Sequence, residues 1–236
     1  MEQNIPHSQS RQVNKTAHSP LVIYPEHTAI VPPAYCGNVA MYAAMARYGH
    51  VIIDASAKYN KREKSLHRCT IEGPNGIQRL TVPLQKPQEW HSTRISDVMV
   101  STHGDWWHVH WGALEAAYGR TPFFEYYADE LRPWFSGEIK RLVDLDMGIH
   151  RFCLDALGID YRSHVLIENR ENLPSDAIRL GNTTENMPPY YQLWADRFGF
   201  TDGLSILDLI FNLGPESALY LRSDFPPYRA LPESLR

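Results

Sequence analysis

Cysteine is scarce in this sequence. Cys36, Cys69 and Cys153 stand far apart in a chain of 236 residues, with no CxxC pair. That spacing excludes both a disulfide framework and a zinc knuckle, and leaves reduced, mostly buried thiols as the expectation. Long apolar runs are missing too. None approaches the roughly 18 to 20 residues that a membrane span needs, and the N-terminus is polar rather than charged and then apolar. No stretch concentrates basic charge: the net charge is -4, with both signs spread along the chain. The counterion release that drives nucleic-acid binding therefore has no source. The phosphate fingerprints GxGxxG and GxxxxGKS, the HExxH zinc motif and the GxSxG nucleophile elbow are all absent, so no cofactor is indicated. These absences point to a cytoplasmic protein with a small-molecule substrate, no nucleic-acid partner and no membrane span.

Aromatic residues, by contrast, crowd one segment. Asp105 to Tyr127 reads DWWHVHWGALEAAYGRTPFFEYY. Indole and phenol rings give flat apolar walls with a polar edge, and His and Glu add titratable groups, a mixture suited to holding a small polar molecule. If Asp105 caps a helix running to about Tyr118, then Trp107, His110, Trp111, Leu114 and Tyr118 share one face, which is also the stripe a helix buries. His108 and His110 then point about 200° apart, so they cannot chelate one metal together. His110, on the aromatic stripe, is the better candidate for work in a partly dry pocket. A core histidine satisfied by a backbone carbonyl is the alternative.

Residues 1–20 are rich in Gln, Asn, Ser and His and are expected to form a disordered tail. Residues 21–236 are expected to form one α/β domain with a C-terminal helical extension. Thr28–Val31 reads as a strand, Pro32 to Gly37 as a turn, Asn38–Tyr48 as a helix capped by Asn38 and stopped by Gly49, and His50–Ile53 as a strand ending on Asp54. This is the layout of a βαβ unit, whose ligands sit at the carboxyl ends of its strands. Tyr35 and Asp54 both fall there. Cys36, at a turn leading into a helix, is a candidate nucleophile, although no neighbouring residue supplies its base. Cys69–Glu72 and Ile77–Pro83, joined by Gly73-Pro74-Asn75-Gly76, predict a hairpin. The alternation from Arg94 to Val100 predicts a further strand. Ser136 is placed to cap a long helix ending before Gly158, and Ser205 to cap Ile206–Leu213 before Gly214-Pro215. Asn182–Pro189 reads as a polar, turn-rich segment. The fold class is α/β: a mixed sheet with an N-terminal βαβ-like unit, a hairpin and flanking helices.

The most polar stretch, Asp54 to Arg68, places Lys58, Lys61, Arg62, Lys64, His67 and Arg68 after the strand-terminal acid. Cations there can hold phosphate or carboxylate, with Tyr59 as a stacking wall. A solvated surface loop is the alternative.

The order of motifs resembles the WbqC-like protein family. The likeness runs through Pro33-x-Tyr35, Gly37, Tyr42, the VIID run ending at Asp54, Tyr59-x-Lys61, Arg68-Cys69 and LTVPL. It continues through Asp105-Trp106, His110-Trp111, AYGRTPFFEYY, Tyr191-Gln192, Phe198-Gly199-Phe200 and LSILDLIFNLG. The resemblance implies an acyl or aminoacyl (glycine) transferase that modifies an amino sugar in O-antigen-type polysaccharide biosynthesis. On that reading Asp54, His110 and Glu125 are the candidate catalytic groups. Tyr35, Tyr59, Trp107 and Trp111 are walls, and Lys61 and Arg68 hold the anionic part of a sugar nucleotide or activated acyl donor. Two alternatives stand beside it. One is a non-catalytic sugar-nucleotide or polysaccharide binding module; the other is a metal-dependent enzyme built on His91, His103, His108 and His110 with Glu115 or Glu125.

Overall fold

The computed structural model describes residues 24–180 and 187–222. The expected tail and most of the Asn182–Pro189 segment lie outside these residues. Strand β1 (Tyr24–Val31), helix α1 (Val39–Met45) and strand β2 (Tyr48–Asp54) form the βαβ unit, with β1 and β2 parallel and Val31 opposite Ile53. Ala29-Ile30-Val31 and Val51-Ile52-Ile53 are all buried, as a parallel strand covered on both faces requires. Asn38 does cap α1, accepting a hydrogen bond from the Met41 backbone at 2.8 Å. The helix stops three residues sooner than the pattern predicts. Tyr48 pairs with Tyr24 in the sheet, so Tyr48 and Gly49 belong to β2 instead.

Strands β3 (Arg68–Gly73) and β4 (Gly76–Thr81) form the expected hairpin, a two-stranded sheet of its own closed by a two-residue turn. The predicted strand over Arg94–Val100 is absent. Ile95–Asp97 is a 3-10 turn, and the flanking backbone makes single bridges to three different partners, Lys58, Leu84 and Arg141. Buried Ile95 and Val98 sit three apart, the spacing of a tight turn rather than of a pleat.

Helix α2 (Trp106–Tyr118) follows Asp105, whose backbone is left-handed (φ 44°) and whose side chain caps nothing. Its buried face carries Trp106, His110, Trp111, Leu114, Ala117 and Tyr118. The stripe is thus turned toward Trp106, while Trp107 lies half-buried over Gly137. Gly137 has φ +78°, and a Cβ there would come within 2.5 Å of the indole.

Helix α3 (Phe124–Leu131) leads through a 3-10 turn, Arg132–Phe135, to helix α4 (Leu142–Ala156). Ser136 caps no helix. The backbone of residues 140–142 is drawn into the Val98–Val100 loop, with Val100 N–H donating to Lys140 and Leu142 N–H to Val98. The helix therefore starts only at Leu142, and it ends as predicted, with Gly158 beyond it at φ +62°.

Two strands without a sequence signal complete the main sheet. They are β5 (His164–Ile167), parallel to β2, and β6 (Ile178–Arg179), parallel to β1. The order is β5-β2-β1-β6. Helix α5 (Ala195–Phe198) precedes α6 (Ile206–Leu213), which Ser205 caps as expected, and α7 (Ser217–Arg222). Helix α6 packs against α1, α2, α3, α4 and α7. Among the described residues no helix is long and apolar enough to cross a membrane.

Candidate functional site

A cavity of ≈ 330 Å³ opens beyond the carboxyl end of β1. Its apolar floor is the end of that strand and the turn into α1, with Val31, Pro32 and Tyr35; its polar rim is Lys64, Arg68 and Arg79. The hairpin register explains the rim. Arg68 pairs with Thr81 and Thr70 with Arg79, and alternate residues of a strand share a face, so both arginines project the same way. Lys64 arrives from the 3-10 turn Lys64–Leu66 just before β3. Among the described residues none of these cations meets a carboxylate, and no Asp or Glu lines the cavity. Arg68 is held by its Nε, which donates to Thr81 Oγ1 at 2.8 Å, leaving the rest of its guanidinium fork for a ligand. His67 registers the local positive potential: burial and then the charges of Lys64 and Arg68 pull its pKa below the usual value.

Behind the floor is a hydrogen-bonded chain. The Tyr35 hydroxyl lies 2.8 Å from His110 Nδ1. The His110 ring also bonds the Thr81 backbone carbonyl. Which of the Tyr35 hydroxyl and His110 Nδ1 donates follows from the tautomer of the ring. Burial pulls the pKa of His110 down to about 4, partly offset by the Thr81 bond, and the ring is neutral at physiological pH. Trp106 packs edge-on against both Tyr35 and His110. Thr81 therefore ties the arginine rim to the buried histidine, one residue bonding Arg68 through its side chain and His110 through its backbone.

The remaining candidates lie elsewhere. Asp54 Oδ1 accepts from the Ser56 backbone (3.0 Å) and hydroxyl (2.6 Å), while Oδ2 accepts from Arg179 at 3.2 Å, joining the ends of β2 and β6. Tyr59 and Lys61 converge on Trp90, which the sequence does not single out. The Tyr59 and Trp90 rings are 4.9 Å apart and Lys61 Nζ sits 4.9 Å from the Trp90 centroid. Trp111 donates its Nε1 proton to Glu115 Oε1 at 2.6 Å and has Arg132 over its face. Glu125 is exposed on the first turn of α3. The cavity thus brings together Tyr35 and Arg68, with His110 behind them, but not Asp54, Tyr59, Lys61, Trp107, Trp111 or Glu125.

Arg79 is a lining residue that sequence reasoning missed, and Lys64 is one that it did not single out. Lys64 was one cation among several, and Arg79 is legible once the two-residue hairpin turn sets it opposite Thr70. Cys36 is buried in a left-handed turn conformation, and burial pushes its thiol well up, so it stays protonated rather than nucleophilic. The metal reading finds no site: among the described residues, no three His, Cys, Asp or Glu side chains group so as to hold an ion.

The family model of the WbqC-like protein family matches residues 33–170, a segment containing the turn, the cationic rim and His110. "Uncharacterized protein Rv1507c" of Mycobacterium tuberculosis (strain ATCC 25618 / H37Rv) is similar, 27% identical over 232 residues that cover 82% of this chain and 96% of the relative. No solved structure matches the chain.

Proposed function

The chain belongs to the WbqC-like protein family, and on that premise we propose that it is a cytoplasmic transferase. It moves an acyl or aminoacyl group from an activated donor to the amine of an amino sugar destined for O-antigen-type polysaccharide. Lys64, Arg68 and Arg79 hold the phosphate of a sugar nucleotide or sugar phosphate. Support comes above all from one observation: three cations without carboxylate partners among the described residues surround a ≈ 330 Å³ cavity at the carboxyl end of a parallel sheet. Anionic ligands of α/β proteins bind at that end, and a guanidinium fork matches phosphate oxygens.

In the reaction the amine nitrogen attacks the donor's acyl carbon, the new C–N bond forms, and the bond to the leaving group breaks. One amine proton must then be removed. Of Asp54, His110 and Glu125, His110 is the one joined to the cavity wall, through the Tyr35 hydroxyl. In this reading Tyr35 passes the proton to Nδ1, and the neutral ring is ready to accept it.

The test combines thermal shift and turnover. UDP-N-acetylglucosamine and inorganic pyrophosphate are expected to raise the melting temperature of the wild-type protein but not of the Arg68→Ala/Arg79→Ala double variant. With an amino-sugar phosphate and an activated acyl donor, His110→Gln is expected to lower turnover while leaving affinity nearly unchanged, since a group acting in the transition state affects rate rather than ground-state binding. Ligand binding with no turnover by the wild type under any donor would favour the binding-module reading instead.

A further inference from the structure

One residue of the cavity wall has a side chain that the fold does not use. Ser65 lines the cavity beside Lys64, and its Oγ is buried without a hydrogen-bond partner. Among the described residues that line the cavity, no other carries a buried side-chain oxygen or nitrogen left unpaired. Such a hydroxyl costs stability, because its lost hydration is not replaced, and native structures seldom keep one. An alanine would hold this turn as well, since other atoms fix it. The Ser65 carbonyl accepts from the Tyr35 backbone at 3.0 Å, the Lys64 carbonyl accepts from the His67 backbone at 3.2 Å, and Leu66 is anchored in the core.

The surroundings decide what would pair with the hydroxyl. Lys64, Arg68 and Arg79 share the cavity with it, and no Asp or Glu lines that space. The group such a field attracts is an anionic oxygen, which can only accept, so the serine must be the donor. Its backbone is already held against Tyr35, and the Arg68 Nε is already held by Thr81 at 2.8 Å. Only a rotation about the Ser65 Cα–Cβ bond is then needed to turn Oγ from its buried position toward the cavity, and that rotation breaks no hydrogen bond.

We propose that Ser65 is a further ligand-binding residue, whose hydroxyl donates to a phosphate oxygen of the molecule that Lys64, Arg68 and Arg79 hold by charge. This inference rests on the anion-binding part of the function proposed above. The cations supply an attraction that salt screens, whereas a neutral donor supplies a directional bond that salt hardly alters. A hydroxyl kept unpaired for a ligand also trades stability for binding, so its removal moves the two in opposite directions.

Isothermal titration of the full chain with inorganic pyrophosphate at several salt concentrations, together with melting temperatures without added ligand, tests the idea. Ser65→Ala is expected to bind pyrophosphate about tenfold more weakly than wild type, the scale of one hydrogen bond to a charged group. Its affinity should fall with added salt as steeply as that of wild type, while Arg68→Ala, with one cation fewer, should give a shallower fall. Without ligand, Ser65→Ala is expected to melt about 2 °C above wild type, because an unpaired buried hydroxyl is gone. Ser65→Thr, which keeps the donor, should bind within about threefold of wild type. Unchanged affinity in Ser65→Ala would overturn the proposal and leave the cationic rim standing. A lower melting temperature, or a variant that does not fold, would also overturn it by showing the hydroxyl to be structural. So would a shallower salt dependence in Ser65→Ala, which would trace the loss to a displaced Lys64. Absence of pyrophosphate binding by the wild type would overturn the anion-binding reading itself.

Discussion

Two polar regions of the molecule behave oppositely. In the cationic cavity, Lys64, Arg68 and Arg79 face a void without counter-charge among the described residues. Around α6 the polar groups close on one another. Gln192 Nε2 donates to Asp208 Oδ2 (3.1 Å) and to the Thr201 carbonyl (2.9 Å), while its Oε1 accepts from the Thr201 backbone (2.9 Å). Tyr190 donates to Asp208 at 2.7 Å, and Thr201 Oγ1 donates to Glu72 at 2.8 Å. The family-like motifs run through both regions. Gln192 belongs to the closed one, so its role is to anchor the segment before α6. Polar residues that satisfy each other hold the fold; those left waiting are where a ligand belongs.

This contrast can be broken most forcefully in the closed network. Gln192→Leu strips hydrogen bonds from a buried acid and from the Thr201 backbone and is expected to cost about 3 kcal/mol or more of stability in urea denaturation. A cost below about 1 kcal/mol would mean that the network is not what holds this region.

Acid is the next lever. Burial pulls His110 and His164 down to about 4 and His150 to about 3, with the charge of His164 adding to the effect on His150. In the unfolded chain each titrates near about 6.5. The folded state thus binds fewer protons, so the stability tied to these histidines is present above pH 6.5 and lost as pH falls through about 4 and 3. Asp208 has the opposite sign. Burial raises it to about 6, so its contribution is full below its unfolded value of about 3.9 and is lost as pH rises through 6. Three histidines outweigh two buried acids, Asp208 and Asp146, the latter's carboxyl likewise pushed well up by burial, and the melting temperature is expected to fall between pH 7 and 4. Asp208→Asn should steepen that fall by removing the opposing slope, and a shallower profile would contradict this sign.

The open region should respond in the reverse manner. Arg68→Ala and Arg79→Ala are each expected to change stability by no more than about 1 kcal/mol, since neither is paired with a carboxylate, while weakening anion binding by about tenfold. Lys61→Ala is expected to give the smallest effect, less than about threefold on anion affinity in titration calorimetry, because its ammonium rests on Trp90 outside the cavity. A larger loss with Lys61→Ala than with Arg68→Ala would move the ligand toward the Tyr59–Trp90 wall.

Much of the scaffold was legible from local chemistry. The apolar runs ending at Val31 and Ile53, the Asn38 and Ser205 caps and the Gly73–Gly76 hairpin turn each act over a few residues, and each formed where expected. Errors gathered where backbone groups found distant partners. Trp106 replaced Trp107 on the buried stripe through its contacts with Tyr35 and Ser101. Ser136 lost its helix because residues 140–142 bond the Val98–Val100 loop.

The sequence by itself determined the parallel βαβ unit, the hairpin, and a supply of cations and aromatic rings near the strand ends. Periodicity, capping and turn preference are short-range properties that neighbouring residues carry with them. Tertiary structure alone decided that Lys64, Arg68 and Arg79 share one cavity while Lys61 does not, that Asp54 is occupied by Ser56 and Arg179, and that Asp146 is buried without a partner. Those outcomes depend on which groups meet across long stretches of chain, and the free energy of a buried charge is set by the atoms around it rather than by its neighbours in sequence.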